Sequence, residues 1–281
     1  QSGISVGAEI ETSFTTRDGI PARVHDSQCI FEHLLQQGWR IAAKKGPIIS
    51  CVDDAMGNRI MYELGSQNIE VATAPTTPER LLEQCKIPLT ELYRAAVQAH
   101  VMPRFQPILE TDENTLLITD DRDAVWVTLD GMDALKLLST IASVQFTIEV
   151  PQENAIQCLN NLGEAAATFL EDYPQDSIWR QYIRTSEAGY RKSRYGGPLI
   201  FTDLEHYCRE LTVHDVVHGT QLVPYESVPH VDIPLYLRSI WWYFRLRRYN
   251  NRLCIEVRPM PRRSDAHIAR QFQQVMDIID L

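Results

Sequence analysis

Residues 238–259 read RSIWWYFRLRRYNNRLCIEVRP. Two runs of alternating apolar and polar residues flank Asn250-Asn251, a pair suited to a tight turn, so the stretch predicts a β-hairpin. Its second arm puts Glu256 and Arg258 on one face and Leu253, Ile255 and Val257 on the other, because strand side chains alternate. On its first arm Arg245 and Arg247 share a face while Phe244 and Leu246 pack away. A hairpin means antiparallel pairing, and that fixes how the other strand-like segments are read.

Moving back along the chain, 142–150 (ASVQFTIEV) is a strand ended by Pro151, and 124–129 (AVWVTL) reads as another. Residues 68–73, 59–64, 48–52, 39–43 and 4–14 (ISVGAEIETSF) complete the set. Helices are expected over 27–37, with Ser27 as its cap and Gly38 as its stop, over 77–100, 132–141 and 153–171, and over 264–281 behind Ser264. Pro88 predicts a kink in the second of these. The polar and aromatic stretch 177–198, ending Gly196-Gly197-Pro198, reads as a loop. Strands and long helices come mixed, which predicts an α+β fold: a mostly antiparallel sheet with helices on one face. No linker or repeat divides the sequence, so residues 1–281 are expected to form a single domain.

Composition narrows the function. The chain has 281 residues, 44% hydrophobic and 23% charged, values of a globular protein. Lys and Arg number 27 against 37 Asp and Glu, a formal net charge of -10. So acidic a chain lacks the basic surface that phosphate backbones need, and nucleic acid is not expected as a partner. No apolar run is long enough for a membrane span. The six cysteines are scattered, and QSGISVGAEIE is no signal peptide, so reduced thiols and a cytoplasmic location are expected. The histidines show no recognised metal spacing.

Four strand-like segments interleave carboxylates with aliphatic residues. Glu9 and Glu11 oppose Ile10; Asn68 and Glu70 oppose Ile69 and Val71; Gln145, Thr147 and Glu149 oppose Val144, Phe146 and Ile148; Glu256 opposes Ile255 and Val257. In a shared sheet one face is greasy, and the other gathers Glu9, Glu11, Glu70 and Glu256 with Arg258. Carboxylates on one surface repel, and hard cations relieve them. Mg²⁺ combines a few carboxylates with substrate phosphates, and an Arg offers a fork for phosphate oxygens. There is no G-x-x-x-x-G-K-[ST], so a nucleotide would not sit on a Walker loop. The plainer reading stands beside this one: half-exposed strands show carboxylates to solvent, and E-x-E is common by chance. Glu63 is equally a ligand or a surface residue. Trp241, Trp242, Tyr243 and Phe244 read as packing.

VGAEIE (6–11), YELGSQNIEVATAP (62–75), ASVQFTIEV (142–150), SIWRQYIRTSEAGYRKSR (177–194) and IWWYFRLRRYNNRLCIEVRP (240–259) together resemble, in order, the motif series of the glutamate–cysteine ligase family, in its carboxylate–amine ligase branch. The resemblance implies a curved, glutamine-synthetase-like or guanidino-kinase-like catalytic sheet, ATP, and Mg²⁺ or Mn²⁺. It implies Glu9 and Glu11 as metal ligands, Glu70 as a metal or substrate-amine contact, and Glu256 as a late metal ligand. Arg258 would meet the transferring phosphate, and Arg191 the substrate carboxylate or phosphate. The family strand carries H-x-H or H-x-N where this chain has Gln145 and Thr147; these hydrogen-bond but are poorer ligands, so a metal position or a substrate contact is altered. Arg245 and Arg247 are expected to line a phosphate or carboxylate pocket.

The activity so implied is ATP-dependent amide formation, of γ-glutamyl type, through an acyl phosphate. Its partners would be small amino-acid and amine substrates, with neither nucleic acid nor membrane; a homo-oligomer stays open. Two alternatives remain: a guanidino-kinase-like phosphotransferase, and a ligase-fold protein that binds or regulates without catalysis.

Overall fold

The computed structural model describes residues 3–119, 123–186 and 194–280. From the amino end the elements run β1 (Val6–Thr16), α1 (Val24–Gln36), β2 (Arg40–Lys45), β3 (Ile48–Asp53), β4 (Arg59–Tyr62), β5 (Asn68–Ala72), α2 (Leu81–Gln98), β6 (Val101–Arg104), α3 (Asp123–Asp130), α4 (Met132–Leu138) and β7 (Val144–Glu149). There follow α5 (Ala155–Glu164), α6 (Ala166–Glu171), α7 (Gln175–Thr185), β8 (Tyr195–Gly196), α8 (Leu204–Thr212), β9 (Val216–His218), β10 (Gln221–Val223), α9 (Ile233–Arg238), β11 (Trp241–Trp242), β12 (Phe244–Tyr249), β13 (Arg252–Val257) and α10 (Asp265–Ile279). Two compact units share these elements. The first comprises Gln1–Ile118, Ser139–Ile148 and Met260–Phe272; the second comprises Thr119–Leu138, Glu149–Pro259 and Gln273–Leu281. Each is assembled from separate stretches of chain, which is why no linker marks a boundary in the sequence.

The first unit is an antiparallel sheet. Its strands run β7-β1-β5-β4-β3-β2, and β6 joins β1 beyond the end of β7. Ile10, Phe14, Ile60, Ile69, Val71, Val144 and Phe146 are wholly buried on one face. Against that face lie α1, with Ile30, Phe31 and Leu34 inward, and α2, with Leu81, Leu89 and Leu92 inward. The Phe31 and Tyr62 rings meet at 5.0 Å, and Phe146 meets Phe272 of α10 at 5.2 Å. Each such side chain contributes about 1.5–3 kcal/mol on burial. The α+β expectation, with an antiparallel sheet and helices on its greasy face, is therefore met in this unit.

The second unit holds the hairpin. β12 and β13 pair antiparallel from Phe244↔Val257 to Tyr249↔Arg252, which leaves Asn250-Asn251 as a two-residue turn, with Asn250 at φ 53°. Short β11 lies parallel to β8. Gly197 has φ +80°, and a Cβ there would lie 2.3 Å from the Trp242 ring, so only glycine fits. Among the described residues no helix is long and apolar enough to cross a membrane.

Four local expectations are corrected. The first helix starts three residues before Ser27, because the Asp26 carboxylate accepts from the Arg23 N–H at 2.8 Å; Ser27 instead turns inward to Tyr62 at 2.6 Å. Residues 124–129 belong to helix α3, not to a strand. A short apolar run fits either period, and tertiary contacts decide: Arg238 holds Asp123, and Tyr182 donates to Asp130 at 2.6 Å. The segment read as a loop from 177 begins as helix α7, whose buried stripe of Trp179 and Tyr182 is masked in the sequence by polar neighbours. The helix expected over 153–171 is two, α5 and α6, parted at Ala165.

Candidate functional site

The face of the first unit's sheet turned away from its helices carries the acidic residues. Register places Glu9 opposite Ala72 on one side and Gln145 on the other, Glu11 opposite Glu70, Ser13 opposite Asn68, and Gly7 opposite Thr147. Met61 faces Glu70 from β4, and Cys51 faces Met61 from β3. Directly opposed residues have adjoining side chains, so strands far apart in sequence build one polar surface.

At its centre, carboxylate oxygens of Glu11, Glu63 and Glu70 lie within 4.8 Å of one another. Glu63 follows β4 immediately, and its N–H donates to the Asn68 carbonyl at 3.0 Å. Glu11 is held at both ends: its N–H donates to the Ser143 carbonyl at 3.0 Å, and its side chain accepts from the Ser143 N–H at 2.8 Å. Glu11 is only 6% exposed and Glu70 only 9%. Burial pushes the Glu70 carboxyl well above the usual carboxylate range, and the charges of Glu9, Glu63 and Glu11 push it further. A cation placed here would oppose these influences by favouring the ionised carboxylates. The donors are hard carboxylate oxygens from β1, β5 and the residue after β4, the set that Mg²⁺ or Mn²⁺ takes, and the residues present fit such an ion.

The second unit holds a cluster of the opposite sign. Arg245 and Glu256 are cross-strand partners, with Nη2 at 2.7 Å and Nε at 3.1 Å from Oε2. Arg247 and the Tyr249 hydroxyl each donate to Oε1 at 3.0 Å. The far side of Arg245 donates to the carbonyls of Leu237 and Ile240. Arg258 takes its place through its N–H, which donates to Tyr243 at 3.0 Å, and through a guanidinium stacked 3.7 Å over the Trp241 ring. Burial acts to raise the Glu256 carboxyl, but the cations of Arg245, Arg258 and Arg247 outweigh it and hold it at about 2. Three guanidiniums act on this one carboxylate, and Arg247, with 43% of its side chain exposed, brings its charge to the surface. Such forks suit carboxylate or phosphate oxygens.

The structure thus gathers Glu9, Glu11, Glu70, Gln145 and Thr147 on one face of the first unit, and Arg245, Arg247, Glu256 and Arg258 in one cluster of the second. Both oxygens of Glu256, expected from the resemblance to bind metal, are engaged by Arg245, Arg247 and Tyr249. Arg191 lies outside the described residues. Glu63, which the sequence left open, joins the acidic centre; its signal was its spacing, two residues beyond Met61 on the same strand face. Trp241, read as packing, carries Arg258, and nothing in the sequence marked it for that.

No family model matches the chain, and no curated protein matches it in sequence. Solved structures do match in fold. The glutamate–cysteine ligase of Francisella tularensis, in complex with AMP, superposes with a TM-score of 0.55 at 10% identity, over 100% of this chain and 67% of that one. A bifunctional glutathione synthetase from Pasteurella multocida gives 0.55 at 11% identity, over 99% of this chain and 38% of that one. The chain therefore has the α+β fold of glutamate–cysteine ligases, and it spans well under half the length of the bifunctional enzyme.

Proposed function

We propose that this chain carries the catalytic machinery of an ATP-dependent carboxylate–amine ligase, making an amide bond of γ-glutamyl type. One observation carries the reading: on a sheet of ligase fold, Glu11 of β1, Glu70 of β5 and Glu63 just after β4 bring carboxylate oxygens within 4.8 Å, and Glu11 and Glu70 are buried. Burying like charges together is costly unless a cation shares the site. Glu11, Glu63 and Glu70 would hold the ion, with Glu9 on the same face. A bound divalent ion neutralises phosphate oxygens and orients them for in-line transfer.

In the reaction the γ-phosphoryl group of ATP passes to a substrate carboxylate, giving an acyl phosphate and ADP. The amine nitrogen then forms a bond to the activated carbonyl carbon, the C–O bond to phosphate breaks, and the amine loses a proton. The protein needs no covalent nucleophile; its task is positioning and neutralising charge. Arg258, held over the Trp241 ring, and Arg247, on the exposed side of its cluster, are the guanidiniums assigned to phosphate or carboxylate oxygens. Arg245 is the buried buttress that holds Glu256, and Arg191 is assigned to the same anionic substrates. Gln145 and Thr147, half-buried beside β1, offer hydrogen bonds to substrate where the resembling family has imidazoles.

The test is a panel assay with ATP, Mg²⁺ or Mn²⁺, glutamate and varied amines, reading ADP, phosphate and new amide. Amine-dependent phosphate release is the expected result, and Glu9→Gln and Glu70→Gln should each lower it by at least about 100-fold, the scale of losing one preorganised charge-stabilising group. A phosphorylated product without phosphate release would point to a phosphotransferase. Silence across the panel, in a protein that still binds nucleotide, would point to a binding role.

A further inference from the structure

Beside the three carboxylates runs a second row of side chains on the same sheet face. Asn68 stands between Ser13 of β1, its register partner, and Glu63, whose N–H bonds the Asn68 carbonyl. It is two residues from Glu70 along β5, so the two share a face, while Ile69 between them faces the helices. Asn68 is 1% exposed and Ser13 is 0% exposed.

The Asn68 amide is oriented by one bond: Nδ2 donates to the Ile141 carbonyl at 2.8 Å. Only the nitrogen can donate, so this bond fixes which way the amide points and turns Oδ1 to the other side. Oδ1 has no hydrogen-bond partner among the described residues, and neither has the Ser13 hydroxyl. A buried amide oxygen left without a donor costs about 1–3 kcal/mol, and native proteins rarely leave one so. Two such oxygens belong to register partners on the sheet face that carries Glu11 and Glu70. The neighbouring carboxylates are acceptors when ionised, and in that form none of them supplies the missing donor. A cation can serve all of these oxygens together.

We propose that Asn68 Oδ1 is a further, uncharged oxygen donor to the divalent cation gathered by Glu11, Glu63 and Glu70, with the Ser13 hydroxyl as its neighbour on β1. The inference deepens the metal-site reading given above and rests on it. Hard cations accept amide carbonyl oxygens alongside carboxylates. A neutral donor also lets the site approach its ligand count without adding a further negative charge to a buried cluster. The bond to Ile141 then has a purpose: it presents the oxygen before the ion arrives, as outer partners do for metal ligands generally.

Mn²⁺ binding to the whole chain, read from the electron paramagnetic resonance signal of free Mn²⁺, tests this without reference to turnover. The melting temperature with and without Mn²⁺ provides a second readout. The wild type should bind Mn²⁺ and Glu70→Gln should not; a wild type that fails to bind overturns both the metal reading and this inference. Given binding, Asn68→Ala should weaken it by about tenfold or more and shrink the Mn²⁺-induced rise in melting temperature. Asn68→Asp keeps an oxygen and adds charge while giving up the bond to Ile141, so it should bind Mn²⁺ at least as tightly as the wild type. Should Asn68→Ala bind with unchanged affinity, or should both variants weaken binding equally, Asn68 is only a structural link to Ile141 and the inference fails. The metal-free melting temperature of each variant separates loss of fold from loss of a ligand.

Discussion

Glu70 sits in β5 with hydrogen-bonded neighbours on both sides and carboxylates on the same face, and its raised proton affinity has a consequence for stability. Its folded-state value lies above the unfolded value of about 4.3. Its contribution is therefore fully present below that unfolded value and is lost as pH rises through the folded one. In metal-free protein at neutral pH, Glu70→Gln should raise the melting temperature, since an amide removes the like-charge burden and can donate to Glu11 or Glu63. With saturating Mn²⁺ the order should invert, because the wild type gains binding energy and the variant does not. Calorimetry with and without chelator reads both. A metal-free Gln variant that melts below the wild type near pH 7 would sink this account of the acidic centre.

At the level of elements, the hairpin β12–β13 is tied near its open end by Arg245 and Glu256, both buried. Here the sign is opposite. The Glu256 carboxyl is held at about 2, below its unfolded value, so its stabilisation is present above about 4.3 and fades as pH falls toward about 2. Glu256→Gln should cost about 3–5 kcal/mol in urea unfolding at pH 7, because it leaves the Arg245 guanidinium buried without its anion. That penalty should shrink as the pH is lowered toward 3, where the wild type begins to lose the same charge; a pH-independent difference would mean that the ion pair is idle.

This hairpin was legible from sequence because its two strands alternate and an Asn-Asn turn separates them. The acidic face was legible for the same reason: period 2 sorts Glu9, Glu11, Asn68 and Glu70 from Ile10, Ile69 and Val71 whatever surrounds them. Helices α3 and α7 were not, since a six-residue apolar run carries no period of its own and the buried stripe of α7 is only two large side chains deep. The partners of Glu256 were hidden for another reason. Sequence gives the sign of each charge, but only the register Arg245↔Glu256 decides which charges meet.

Across the whole molecule, the cysteines record which parts are closed to solvent. All six are free thiols; Cys51, Cys85, Cys158 and Cys254 are buried, Cys29 is half-buried and Cys208 is exposed. Burial pushes the Cys85 thiol up to about 12 and Cys254 to about 11, so these sulfurs are poor nucleophiles as well as shielded ones. A chromogenic thiol reagent at neutral pH should titrate Cys208 quickly and Cys29 slowly, and reach the other four only after denaturant. Reductant should leave the melting temperature unchanged. Rapid modification of Cys85 or Cys158 in native protein would contradict the burial of the helices that carry them.

β1 draws its neighbours from distant stretches of chain: β5 and β6 from the next hundred residues, β7 from 144–148, and then Met260, whose carbonyl accepts the N–H of Val144, the residue opposite Ile10. During synthesis β1 must wait for Met260, about 250 residues further on, before its unit can close. During that interval the greasy side of a half-built sheet is open to water or to other nascent chains. A polypeptide cut anywhere ahead of residue 260 would stay in that state, and the yield of native protein should depend more on chaperone supply than on the intrinsic speed of its helices.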